Sequence, residues 1–412
     1  MRLGLGNTLV EGGGPSNPDG LALDLQFAAD KSLTARKGPT PVFTRGSTAT
    51  FVGSNGLIQS AAINDARFDH NPVTLACRGL LIEESRTNLI LQSENIASAT
   101  WVKAGGSISS VANVEPDGSA NSELFSEDGT TGAHRIFQAF VGTIGTVYTL
   151  SVFLKFNGRA EVALENRSIG TNPLAVFNIQ NGTIGSVGSG LTAAIQAYPN
   201  GWYQCSITGT ATLAGGNYII NGYSGSATYT GLNGPAFYVY GAQVEAGAFA
   251  TSYIPTTTAA LARSADVCSI TGTDFSGFYN ASQGTFILSG DCPNIFGPGL
   301  IGIGTGNGAI SRGVGIATAR TEWWNNSANL VTANSVNWVN SVKVAAAYDS
   351  GNRAICLAGG AVATSATLLP NGGKMEIGRN FNNTGNNLNG HLAAIRYYKK
   401  RLANAKLQAL TV

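Results

Sequence analysis

An all-β architecture follows from three features of these 412 residues. Apolar residues make up 43% of the chain but fall in short alternating runs, the period-2 pattern of half-buried strands. The 54 glycines, with frequent NG, DG and GSG steps between those runs, supply turns and interrupt any long helix. Charged residues are scarce at 12%, yet the apolar content is too high for a disordered chain. The length exceeds what one core fills, so two or three domains are expected, with no need of disulfide staples.

Taken in order, residues 1–20 hold Gly, Asn, Pro and Ser around a short apolar start. They read as a flexible arm, or as a peptide that orders only against a partner. Leu21–Phe27 alternates, with Leu21, Leu23, Leu25 and Phe27 on one face, and Lys31–Pro41 is a basic, Pro-punctuated loop. Residues 1–45 are therefore set apart as an N-terminal arm, whose removal is expected to leave a folded, soluble product. Val42–Val52 and Gly56–Ala62 read as strands joined by the turn Gly53–Gly56, within a small β-rich module at 46–90. Inside Asn64–Pro72, Asp65, Asp69 and His70 have the look of metal ligands. Asp and Asn near Pro are more simply turn formers, and no third or fourth ligand converges, so zinc is not supported. Gly79–Ile90, GLLIEESRTNLI, opens apolar and then turns charged. It suits a buried strand whose exit is held by ion pairs and hydrogen bonds from Glu83, Glu84, Arg86 and Asn88.

Residues 91–260 carry the spacing of a single β-sandwich, with strand patterns at intervals filled by Gly/Asn turns. In Val147–Phe156, Tyr148, Leu150, Val152, Leu154 and Phe156 form one apolar face. Burying each contributes roughly 1.5–3 kcal/mol, enough to set the register of that strand. Cys205 shares a strand face with Tyr203 and Ile207 and reads as a buried thiol. Residues 256–266 link this sandwich to the region 261–412. There the closing run Gly390–Leu410 reads as a strand followed by a short helix, capped by Asn404, with Leu407 and Leu410 on one face.

Several function classes are disfavoured. A net charge of +2 without a dense basic stripe argues against nucleic acid. No apolar run approaches a membrane span, so no membrane insertion is expected. The N-terminus lacks the apolar core of a signal peptide, and the five cysteines include no CxxC, so assembly in a reducing cytosol is expected. Glycosidases need paired carboxylates across the scissile bond. Here the Glu-x-Asp-x-x-Glu pattern is missing, and Glu83 and Glu84 are adjacent, so on a strand they face opposite ways. His70, His134 and His391 are far apart with no GxSxG nearby, so no catalytic residue is assigned. Sugar recognition uses aromatic faces with amides beside them. On that ground Trp323, Trp324 and Asn325, with Asn326, are the first glycan-binding candidates, followed by Tyr223 and Tyr229, with Tyr238 beside them. Trp101 and Trp202 read as structural. No cofactor is required. A structural calcium ion would have Asp117 and Asp128, or Asp349, Asn352 and the Asn-rich stretch 380–389, as its ligands, though none has diagnostic spacing.

The GLLIEESRTNLI run, together with RGSTATFVGSNGLIQSAAINDARFDHNP at 45–72, resembles a junction in tailed-bacteriophage virion proteins, both fibres and spikes. Asn95–Trp101, Glu115–Gly118, Asn200–Ser206 and Tyr240–Thr256 resemble the carbohydrate-binding-module-like β-sandwich of such fibres. Asn280–Leu288, Val342–Tyr348, Met375–Arg379 and the closing run resemble a concanavalin/laminin-G-like domain. The resemblance spans roughly residues 40–412. It implies two jelly-roll or lectin-like β-sandwiches behind an N-terminal attachment module, in a tail-fibre, head-fibre or spike subunit located on the virion. The implied partners are other virion proteins through the N-terminal arm, a homotrimer, and a host-surface glycan. The alternatives are a free lectin or adhesin and a tail-associated glycan depolymerase.

Overall fold

The computed structural model describes residues 20–412 except 171–172, 293–295, 305–310, 318–319, 326–328, 332–340, 367–371 and 380–386. Within 296–298, 311–317, 320–325 and 329–331 the backbone alone is described. Among the described residues the chain is overwhelmingly β, with four large antiparallel sheets.

Two six-stranded sheets form the middle sandwich. One runs Leu191–Ala197, Trp202–Thr210, Val147–Phe156, Gly234–Ala246, Asn121–Glu127, Gly106–Ala112. The other runs Thr183–Val187, Leu174–Asn178, Glu161–Asn166, Gly216–Tyr223, Arg135–Phe140, Val102–Ala104. Alternation places Tyr148, Leu150, Val152 and Leu154 in the core between the sheets, against Trp101, Phe125, Phe177 and Phe237. Phe156 packs at its margin, and Cys205 is fully buried there. Phe153, of opposite parity, packs outside the sheet with Trp202, Tyr240, Tyr253 and Ile58. Trp202 and Trp101 are buried, their indole N–H groups donating to Val114 O and Gln92 O.

The second sandwich is assembled from both sides of the first. Its eight-stranded sheet runs Ala363–Ser365, Arg353–Leu357, Val342–Tyr348, Gly284–Asp291, Gly390–Tyr398, Cys77–Ile82, Phe68–His70. Leu21–Leu25 is the eighth strand. Gly390–Tyr398 gives one edge to two N-terminal strands: Gly390–Leu392 pairs with Leu80–Ile82, and Ile395–Tyr398 with Leu21–Leu25. The seven-stranded sheet opposite begins with Val42–Thr44, paired with Val267–Thr271. Leu23, Leu25, Phe27, Phe43, Leu80 and Ile82 are buried in one core with Phe286, Leu288, Met375, Leu392 and Tyr397. The expected divisions at 45 and 90 thus do not separate sheets or cores from residue 20 onward. The physical reason is that each N-terminal strand has one apolar face and buries it against the C-terminal sheets. The middle sandwich is inserted into the outer one.

Local readings shift in the same way. The expected strand Val42–Val52 breaks at Arg45, whose side chain turns inward to a buried carboxylate. Ala49–Val52 then forms a hairpin with Ile58–Ala61. Asp69 and His70 sit on a buried strand, not in a turn. The C-terminal helix Asn404–Thr411 covers the outer face of the eight-stranded sheet, with Leu407 over Ile287, Ala345, Ala354 and Cys356. Ala403 holds the cap position, because Asn404 accepts a hydrogen bond from Arg401 Nη2 (2.7 Å) instead of capping.

Candidate functional site

The junction strand leaves the outer sandwich at Glu83 and enters a buried charge hub. Arg67 bridges two carboxylates, with Nη1 2.7 Å from Glu83 Oε2 and Nη2 2.5 Å from Asp266 Oδ2. Arg45 Nη1 lies 3.2 Å from Asp266 Oδ1, and Arg263 Nη1 lies 3.3 Å from Glu83 Oε2. Glu83 also accepts from the N–H and hydroxyl of Ser252, both at 2.7 Å. Burial alone would raise its pKa, but Arg263, Arg67 and Ser252 outweigh burial and hold it at about 2. Removing one partner from such a cluster is the costly event, typically about 3–5 kcal/mol.

The next junction residues fasten the two sandwiches. Glu84 accepts from Arg86 Nε (2.7 Å) and from Asn389 Nδ2 (3.2 Å). Arg86 also donates to Ala246 O and lies 4.9 Å over the Phe249 ring. Gly247 stands directly against this guanidinium: at φ +146°, a Cβ there would fall 1.3 Å from Arg86 Nη1. Asn88 is fully buried, donating to Ala242 O and Ile254 O and accepting from the N–H groups of Ile90 and Val244.

Beside this junction lies a cleft of about 500 Å³ between the sandwiches. One wall is the outer face of the strand pair Leu191–Ala197 and Trp202–Thr210. By alternation it presents Thr192, Gln196, Gln204, Ser206 and Thr208, while Cys205 and Ile207 point into the core. Phe153, Tyr198 and Tyr253 add aromatic surface. The other wall carries Asp69, His70, Arg78, Asn389 and His391. His391 is clamped between Asp291 (Nδ1 to Oδ1, 2.7 Å) and Asp69 (Nε2 to Oδ2, 2.8 Å). Arg78 closes the chain with a two-pronged contact to Asp291 (3.1 and 2.7 Å). Burial opposes a charged imidazole, but Asp291 and Asp69 outweigh it and hold the His391 pKa above its ordinary value. Burial likewise opposes ionised Asp291, and His391 and Arg78 overcome it, keeping its pKa low.

Of the glycan candidates read from sequence, Tyr223 and Tyr229 have described side chains, and neither lines this cleft. Tyr229 is buried: its hydroxyl donates to Glu127 (2.7 Å), its ring lies 4.8 Å from His134, and Arg159 sits 4.3 Å over it. It ties down a loop and presents no open face. Tyr223 is half-buried and donates to Gly225 O. Trp323, Trp324 and Asn325 fall on the strand Arg320–Asn325, paired with Val314, Gly313 and Arg312; their side chains, and all of Asn326, lie outside the described residues. Asp117, Asp128 and Asp349 each accept a backbone N–H two residues on, as turn residues do. Among the described residues no group of three or more His, Cys, Asp or Glu side chains is arranged to hold a metal ion. Sequence reading missed Arg78 and the pairing of Asp69 with His391, although it weighed each of those two alone. The signal at Asn64–Pro72 was visible, but Asp69 meets His391 across 322 residues.

No protein-family model matches this chain, and no curated protein is similar to it. Solved structures with some likeness include the Ruminococcus gnavus IT-sialidase CBM40 bound to α2,3 sialyllactose, at 16% identity and a TM-score of 0.29. That match covers 34% of this chain and 88% of the other. Domains LG4-5 of the mouse laminin α1 chain match at 7% identity and a TM-score of 0.26, covering 67% and 90%. Trypanosoma rangeli sialidase in complex with sialic acid matches at 10% identity and a TM-score of 0.26, with 74% of this chain against 62% of that one. Likeness at this level assigns no ligand or activity to this chain.

Proposed function

We propose that this chain is a structural bacteriophage virion protein, a fibre or spike subunit of tail or head, whose lectin-like sandwiches adhere to host-surface glycans without cleaving them. The observation that carries the binding half is the cleft. Hydroxyl and amide side chains on a rigid strand pair, with aromatic rings beside them, suit the mixed polar and apolar surface of a sugar. The carboxylates in the cleft favour recognition over hydrolysis, because Asp69 is committed to His391 and Glu83 is saturated by its partners. The virion half rests on the resemblance of residues 40–412, with the N-terminal arm docking on other virion proteins and trimeric copies giving avidity to weak contacts.

The test is a glycan array and a host-cell adhesion assay with the full chain. Gln196→Ala combined with Gln204→Ala is expected to weaken binding about tenfold, the loss of two hydrogen bonds of roughly 0.5–1.5 kcal/mol each, at unchanged melting temperature. Trp323→Ala and Trp324→Ala serve as the comparison. Loss only in the tryptophan variants would move the site out of the cleft, and no glycan or cell binding by the parent would remove the adhesion reading.

A further inference from the structure

Among the described residues the junction hub holds one more buried cation than anions. Three guanidiniums (Arg45, Arg67 and Arg263) meet two carboxylates (Glu83 and Asp266), and none of the five side chains is more than 5% exposed. Following each donor shows where the surplus sits. Arg45 donates to Ser47 O, Ala62 O and Asp266. Arg67 donates to Thr50 O, Ser252 Oγ and Asp266 and is paired with Glu83, so its charge is met twice although its Nε has no partner among the described residues. The Asp266 oxygens are taken by Arg45, Arg67 and the N–H of Glu83, and those of Glu83 by Ser252 and Arg67. Arg263 is what remains. Its Nη1 stands 3.3 Å from Glu83 Oε2 out of hydrogen-bond alignment, and among the described residues Nε, Nη1 and Nη2 have no hydrogen-bond partner. The neighbouring carboxylate Glu84 is already engaged by Arg86 and Asn389.

A guanidinium stays charged in a protein and carries five donors. An uncompensated buried charge is the costly case, and water would satisfy the donors while leaving the charge. We propose that Arg263 holds a small monovalent inorganic anion of the chloride type, which brings the hub to neutrality. Arg263 ends the strand Leu261–Arg263, paired with Arg86–Asn88, where the chain returns from the middle sandwich to the outer one. The anion therefore fastens that return crossing, and it does so whether or not the cleft binds sugar.

Two measurements on the full chain decide this. Crystals soaked in bromide are expected to show an anomalous peak within hydrogen-bond reach of the Arg263 guanidinium. At fixed ionic strength, replacing glutamate with chloride is expected to raise the melting temperature by about 3–6 °C once chloride is roughly tenfold above its dissociation constant. Arg263→Gln is expected to abolish that rise. No bromide peak, or a solvent peak there that bromide does not change, overturns the proposal, and the wild-type crystal gives that answer even if the variant fails to fold. Equal melting in the two salts overturns it as well.

Discussion

Leu25→Ala tests whether the N-terminal strands belong to the C-terminal core. Leu25 is fully buried, it pairs with Ile395, and most of the core cluster that holds it comes from residues beyond 260. Leu→Ala in a packed core costs about 2–5 kcal/mol, from lost transfer energy plus the cavity left behind. For a unit of this size each kcal/mol moves the midpoint by about 2–4 °C, so a central loss of about 3 kcal/mol lowers it by roughly 6–12 °C. Calorimetry would read the shift. Hydrogen exchange would localise it, with faster exchange expected in Gly284–Asp291 and Gly390–Tyr398 and none in Val147–Phe156. Val102→Ala, at a site 48% exposed in the middle sandwich, is the control and should stay within about 0.5 kcal/mol. Faster exchange confined to residues 20–45 would refute the reasoning, because those strands would then be an appendage. The same logic predicts that deleting residues 1–45 yields a poorly folded product, since it removes Phe27 and Phe43 from that core as well.

Two further outcomes follow from the junction and the cleft. His391 has a folded pKa above its ordinary value, so its stabilisation is complete below about 6.5 and is lost as pH rises through the folded value. Melting temperature against pH should therefore fall more steeply above 6.5 in the parent than in His391→Gln; parallel curves would remove the charged clamp. Gly247→Ala should cost about 2–3 kcal/mol by expelling Arg86 from Glu84 and Phe249, read as a lower urea midpoint. An unchanged midpoint would show that Arg86 relocates freely.

Local pattern carried the strands well. Val147–Phe156 shows its parity in the sequence, and the step from strand Gly390–Tyr398 to a closing helix was legible from a change of period. Partner choice was not legible. Leu21–Leu25 reads as a half-buried strand, but nothing in its five residues says that its partner is Gly390–Tyr398. The same limit hid the cleft. Asp69 and His70 share a segment with Asn and Pro that resembles a turn, and only their distant partners make it a buried strand. Tyr229 misled for a related reason: Gly/Ser/Thr neighbours suggest an open loop, whereas Glu127 and Arg159 close over the ring. Glu83, Arg86 and Asn88 stood out because charge directly after an apolar run needs partners, although the sequence could not name Arg67, Arg263 or Asp266 as theirs.

The insertion also sets a timetable for biogenesis. Glu84 meets Asn389 across 305 residues, so at about 5–20 residues per second the ribosome takes roughly 15–60 s to deliver that partner. The middle sandwich emerges whole within the interval and can close first. Leu21–Leu25 and Cys77–Ile82 meanwhile wait as unpaired edges, the kind of surface that recruits chaperones or wrong partners. Slow translation or low chaperone capacity should thus trap molecules with a finished inner sandwich and an open outer one, until Gly390–Tyr398 arrives.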